Sequence, residues 1–197
     1  MGKETEVEAC WPDGARERGR LQYEAPKLVF RGAARRVFEG EALAQVRAEG
    51  PDLVLGNGAR FALGERAAAS WAEAIRNPRG RLDKLGVKAG QRAAIVNLDD
   101  PAFADELAGR VPPLGDGEAG LDILVYGADS AAELQRLPDL IARLADRGAL
   151  WIVSRKGRAA TLRDVEVMAA AKALGLVDNK VCSFSDSRTA LRFTRRR

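Results

Sequence analysis

Histidine is absent from the 197 residues. Without imidazole there is no Ser-His-Asp or Cys-His catalytic pair and no imidazole metal site, and no side chain titrates near neutrality unless a Lys, Cys or carboxylate is strongly shifted. Cysteine is almost as scarce. Cys10 and Cys182 lie in opposite halves of the chain, which excludes a disulfide framework and a cysteine-rich zinc centre by count. Both are expected as small buried hydrophobes. Apolar runs fall far below the roughly 18 residues that cross a bilayer. The opening MGKETEVEACWPDG also lacks the apolar core of a secretory signal, so a cytoplasmic protein is expected.

Charge of one sign is missing too. The 32 basic residues are offset by 28 acidic ones, leaving a formal charge of +4. Divided at Gly80, the chain has 13 basic against 12 acidic residues before it and 19 against 16 after it. Neither half is a polyanion binder by bulk charge, although Arg195, Arg196 and Arg197 form a basic tail able to touch a phosphate or simply to remain solvated. What is present is ordinary globular material. A hydrophobic content of 46% suffices for one large core or two small ones.

The N-terminal part, to about Asn77, reads as short strands closed by one helix. Thr5, Val7, Ala9 and Trp11 alternate with Glu4, Glu6 and Glu8, the period of a half-buried strand, and Pro12-Asp13-Gly14 then supplies a turn. GRLQYE, KLVFRG, AARRVF, LAQVRAEG, DLVLG and ARFALG follow as further strand candidates, with Gly56-Asn57-Gly58 a hairpin signal. The helix spans about Glu65 to Arg76, with Ala67, Ala68, Trp71, Ala72 and Ile75 on one face, and Asn77-Pro78 stops it. Regular spacing of short strands predicts a small β-barrel or sandwich with Trp71 as its plug. This order of elements, over residues 1–77, resembles a pleckstrin-homology-like module. The resemblance implies a ligand contact near the first hairpin, where Arg16, Arg18 and Arg20 lie; alternate arginines are equally the outer face of a solvated strand.

Beyond the break at Asn77-Pro78-Arg79-Gly80-Arg81 the pattern changes to strand, helix, strand, helix, strand: RAAIVNL, PAFADELAG, LDILVYG, AAELQRLPDLIARLAD and ALWIVSRKG. Ser130-Ala131-Ala132-Glu133 has the form of a capping box, and Pro138 should kink the helix or begin a second piece. Thr161 to Asp164 opens another helix, with Val167, Met168, Ala171 and Leu174 inward. VDNKVCSF and TALRFT flank SDSR as a closing antiparallel hairpin. The segments LDKLGVKAGQRAAIVN, ALWIVSRKG and GLVDNKVCSFSDSRTALRF are together similar to the bacterial domain-of-unknown-function family 3052, over residues 82–194. The last strands and helix also resemble the second half of a class I methyltransferase. The expected fold is thus two domains, α+β and α/β: the β module at 1–77, then a reduced Rossmann or methyltransferase-like α/β domain at 82–197 ending in an antiparallel hairpin.

Two departures argue against a working methyltransferase. Where a nucleotide or S-adenosylmethionine (SAM) domain places G-x-G after its first strand, this chain has Asn97-Leu98-Asp99-Asp100-Pro101. The stretch from Asp99 to Leu121 is also too short for two helix-strand units of about 30 residues each. In open α/β sheets ligands bind outside the carboxyl ends of the strands. Those ends carry Asn97, Asp99 and Asp100, then Tyr126, Gly127 and Asp129, then Ser154, Arg155, Lys156 and Arg158. Acidic and basic groups on one rim suit a small charged ligand or a charged peptide; a solvated strand exit and a helix start give the same residues.

The sequence therefore points to a non-enzymatic protein with a regulatory role that binds a protein partner or a small charged ligand. It carries no catalytic residue, metal or cofactor, and binds SAM no more tightly than about millimolar. A degenerate SAM-dependent methyltransferase is the second reading. Nucleic-acid binding through the arginine tail and Arg155 to Arg158 is the third and weakest, because no aromatic platform accompanies those charges.

Overall fold

The computed structural model describes residues 2–112, 114–115 and 117–196. The chain divides into two compact units, Met1–Arg79 and Gly80–Arg197. Among the described residues no helix is long and apolar enough to cross a membrane.

The first unit is one antiparallel sheet. Its strands are β1 (Lys3–Cys10), β2 (Arg16–Glu24), β3 (Lys27–Arg31) and β4 (Arg35–Phe38), followed by a short helix α1 (Glu41–Ala44), then β5 (Arg47–Glu49), β6 (Asp52–Val54) and β7 (Arg60–Ala62). They stand in the order β4-β3-β2-β1-β7-β6-β5. The helix α2 (Glu65–Arg76) closes the unit and packs against β5 and β6. Alternation decides the faces: Val7, Ala9 and Trp11 are buried while Glu4, Glu6 and Glu8 are exposed. LAQVRAEG, expected as one strand, is divided between α1 and β5.

The closed barrel expected for this unit is not found. The outer strands β4 and β5 each pair with a single neighbour, so the sheet stays open at both edges. It is nevertheless strongly curled. β4 and β7 are four places apart, about 19 Å in a flat sheet at 4.8 Å per strand, yet the rings of Phe38 and Phe61 lie 6.0 Å apart. Trp11 fills the concave side between Phe30, Phe38 and Phe61. Burial of these rings drives the curl, and α2 covers the core with Ala68, Trp71, Ala72 and Ile75 in place of a closing strand pair.

The second unit is a Rossmann-like α/β sheet. Its elements are α3 (Arg81–Leu85), β8 (Ala93–Val96), α4 (Pro101–Ala108), β9 (Leu121–Gly127), α5 (Leu137–Ala142), β10 (Leu144–Arg155), α6 (Asp164–Ala173), β11 (Leu176–Ser183) and β12 (Arg188–Arg195). The order is β11-β12-β10-β9-β8. β8, β9 and β10 are parallel, and β12 is inserted antiparallel between β10 and β11. β10 is buried on both faces, which explains its continuous apolar run. Leu150 and Ile152 join Val167 and Ala171 of α6 on one side, while Trp151 and Val153 join Leu85 of α3 and Phe103 of α4 on the other. The Trp151 indole donates to the Leu85 carbonyl at 3.0 Å, which ties α3 to the central strand.

Helical periodicity overreached in two places. The stripe expected to run to Asp146 becomes a 3-10 turn at Glu133–Arg136 and the short α5, because Pro138 in the first turn restarts the helix, and the chain is already strand at Leu144. Leu174, expected inward, follows the last turn of α6 and is exposed. The basic tail also differs from its solvated reading. Arg195 belongs to β12 and donates to the carbonyls of Ile141, Leu144 and Ala145, satisfying acceptors left open where α5 ends. Arg196 is exposed, and Arg197 lies outside the described residues. Both cysteines are half-buried rather than buried.

Replacing Trp71 by Ala removes the one large ring that α2 contributes to the first unit. Trp71→Ala should destabilise that unit by about 3–5 kcal/mol, measured by denaturant unfolding. A loss within about 0.5 kcal/mol, the range of surface substitutions, would contradict the role given to α2.

Candidate functional site

The carboxyl ends of β8, β9 and β10 gather most of the residues selected from sequence, but through a carboxylate that was not among them. Asn97 leaves β8 with φ 53, a left-handed turn where glycine is the easier residue. Its backbone runs so close to β9 that a Cβ on Gly127 would meet the Asn97 carbonyl oxygen at 2.1 Å. Only glycine fits there. The Asn97 side chain then donates from Nδ2 to the Gly127 carbonyl at 2.9 Å and to Glu133 Oε1 at 2.8 Å.

Glu133 is the hub of the rim. Its Oε2 accepts from the backbone N–H of Asp129 and of Ser130, both at 2.8 Å, and from the Ser130 hydroxyl at 2.9 Å. Its backbone carbonyl accepts from the Tyr126 hydroxyl at 2.8 Å. Burial pushes the Glu133 carboxyl up, but the bonds from Asp129, Asn97 and Ser130 together outweigh it and hold its pKa below the ordinary value. Tyr126 is fully buried, and burial raises its phenol.

Asp129 anchors the third strand's exit to the rim. Its carboxylate accepts from the Arg155 N–H at 2.8 Å and pairs with the guanidinium groups of Arg155 and Arg188, each at 3.2 Å. The Thr161 hydroxyl donates to its carbonyl. Lys156 reaches across to Ser183 Oγ at 2.8 Å. Arg158 is exposed, with no hydrogen bond or ion pair to a described residue. Ser154 is completely buried, and its Oγ has no partner among the described residues.

The two adjacent aspartates part company. Asp100 caps α4, accepting from the Phe103 N–H at 2.9 Å, and pairs with Arg81 at 2.6 Å. Arg81 also pairs with Glu106 and lies over the rings of Phe103 and Phe184, so this carboxylate serves the fold. Asp99 is exposed and makes no hydrogen bond or ion pair with a described residue. Asn97, Tyr126, Asp129 and Arg155 are thus brought into one bonded network, while Asp99 and Arg158 stand free at its margin.

Sequence reasoning missed Glu133, Arg188 and Arg81. Glu133 had a visible signal as the last residue of Ser130-Ala131-Ala132-Glu133, read only as a helix start. Arg188 had none, because its approach to Asp129 depends on β12 returning beside β10. Among the described residues no group of histidine, cysteine and carboxylate side chains is arranged to hold a metal ion.

No family model and no curated protein matches the chain. Solved structures do. The SAM-dependent O-methyltransferase of Thermotoga maritima is 10% identical, with 98% of this chain and 93% of that one covered at a TM-score of 0.44. The TehB-like SAM-dependent methyltransferase of Corynebacterium glutamicum is 14% identical, covering 67% and 97% at 0.42. The ribosomal protein L11 methylase of Lactobacillus delbrueckii subsp. bulgaricus is also 14% identical, covering 59% and 75% at 0.42. At these values the likeness names no substrate and assigns no residue. The expected non-enzymatic role is nevertheless not carried forward, since the matched structures are methyltransferases.

The network predicts a pH signature. Because the folded pKa of Glu133 lies below the ordinary 4.5, its contribution is fully present above that value and is lost as pH falls through the folded pKa. Glu133→Gln should cost about 1–2 kcal/mol at pH 7, the low end for bonds to a part-exposed charged group. The deficit should shrink below pH 4.5 in parallel urea titrations. A deficit independent of pH would show that the charge is not what the loop recognises.

Proposed function

We propose that Gly80–Arg197 is a reduced, degenerate methyltransferase-type domain whose rim takes SAM weakly. The observation that carries this reading is the sheet: parallel β8, β9 and β10, then β12 antiparallel between β10 and β11. That is the arrangement which the closing segments of the sequence share with the second half of a class I methyltransferase. For Met1–Arg79 a pleckstrin-homology-like module remains the proposal, supported by the strand order and the closing helix α2. Its basic strand reads as a solvated face, since Arg16 pairs with Glu8 and Arg20 with Glu4.

The residues fit the methyl donor at its polar end only. Asp99, exposed beside the exit of β8, can accept from an ammonium group or from ribose hydroxyls. Asn97 makes the left-handed turn that a glycine loop would make. The space beside Gly127 is filled by Asn97 itself, so no glycine cradle remains for a cofactor backbone contact. β8 is moreover an edge strand, without the neighbours that would wall an adenine. When bound, SAM would supply an electrophilic methyl group. The chain's own part is to hold the polar end through Asp99 and to present an acceptor along the rim. With no histidine in the sequence, an acceptor that is already anionic, or soft, needs no base from the protein.

Calorimetric titration of the full chain with SAM and S-adenosylhomocysteine tests this. Saturable binding is expected with a Kd of about 0.1–1 mM, and Asp99→Ala should weaken it about tenfold, or 1.4 kcal/mol. Absence of saturable binding, or binding indifferent to Asp99→Ala, would overturn the proposal.

A further inference from the structure

The opposite end of the same sheet carries a feature the rim does not explain. At the amino ends of the parallel strands, on the face that α3 covers, lies a cleft of about 610 Å³. Small-molecule sites are typically about 300–1,000 Å³. Three cations line it, Arg147, Lys180 and Arg192, against one carboxylate, Asp122. That carboxylate is already engaged, accepting from the Arg92 N–H at 2.9 Å.

Register explains how the cations meet. β11 and β12 shift register between Asp178 and Lys180, a bulge that turns side chains out of the regular alternation. Lys180 is then directly opposite Arg192, and Arg192 directly opposite Trp151. Like charges directly opposite on neighbouring strands destabilise a sheet. Local partners relieve this incompletely. Lys180 Nζ donates to the Lys84 carbonyl at 2.6 Å and stands 5.7 Å from the Trp151 ring centroid. Arg192 is half-buried and donates to Asn179 Oδ1 at 2.8 Å, with no carboxylate among the described residues in ion-pair range. Burial pushes its pKa down. Arg147 is exposed and makes no hydrogen bond or ion pair with a described residue.

We infer that this cleft binds a small phosphate-bearing molecule, held between Arg192 and Lys180 at its base and Arg147 at its mouth. A guanidinium presents a planar fork that matches phosphate, and an ammonium adds a point charge. A group carrying two or more negative charges answers three cations better than a single carboxylate does. It also removes the repulsion between Lys180 and Arg192 that the fold otherwise retains. The site is separate from the rim and does not rest on the methyltransferase reading.

Calorimetric titration of the full chain with sodium pyrophosphate at low ionic strength tests the inference. One saturable site is expected, with a Kd below about 1 mM. Arg192→Gln and Arg147→Gln should each weaken it about tenfold, a change of one decade in Kd. Arg147 is exposed and has no partner among the described residues, so its variant keeps the test valid if Arg192→Gln folds poorly. Arg18→Gln removes the same charge from an exposed strand of the first unit and should leave binding unchanged, as should Asp99→Ala on the rim. No saturable binding, equal weakening by Arg18→Gln, or binding of a single-stranded oligodeoxynucleotide in the absence of pyrophosphate binding would each overturn the inference.

Discussion

The second unit depends on one carboxylate accepting four donors. Glu133 takes the amide of Asn97, the N–H groups of Asp129 and Ser130, and the Ser130 hydroxyl. Those donors belong to the exits of β8 and β9, so one side chain fixes both loops above the parallel strands. The approach of Asn97 to Gly127 is possible only because a glycine stands there, and it stays closed because Asn97 bonds on both sides. A rim fastened in this way has spent the polar groups that a glycine-loop nucleotide site leaves for its ligand. In the proposed reading, weak recognition at Asp99 is what remains.

At the rim the half-buried guanidinium groups of Arg188 and Arg81 are matched by carboxylates, while at the other end of the sheet Arg192 has none in ion-pair range among the described residues. Arg188 is answered by Asp129, and Arg81 by Asp100 and Glu106, with two aromatic rings beneath it. Arg192 and Lys180 face one another, and among the described residues their partners are the neutral Asn179 amide, the Lys84 carbonyl and the Trp151 ring. The contrast within one small sheet is the reason for placing a ligand anion at that end. Burial without a counter-charge is unfavourable, and an anionic ligand would supply one.

Much of this was legible in the sequence where a single local rule decides. Alternation placed Val7, Ala9 and Trp11 inside, and the run at ALWIV gave a strand buried on both faces. Element order at the carboxyl rim located Asn97, Tyr126 and Asp129 near one another. What failed needed information at long range. Whether a curled seven-stranded sheet closes depends on whether β4 and β5 meet, and neither strand records that in its residues. The roles of Asp99 and Asp100 were indistinguishable as neighbours until the start of α4 and the position of Arg81 separated a helix cap from a free carboxylate. Glu133 was visible as a capping residue, and its reach to Asn97, 36 residues away, was not.

The rim keeps its shape only if Glu133 holds the loop after β9 in solution. Native-state hydrogen exchange at the Asp129 and Ser130 amides, the two backbone donors to its carboxylate, measures this directly. Both should exchange at least about tenfold more slowly than the neighbouring Ala131 and Ala132 amides, a factor worth about 1.4 kcal/mol of protection, and Glu133→Gln should abolish the difference. Exchange of Asp129 and Ser130 at the rate of their neighbours in the unaltered protein would contradict it.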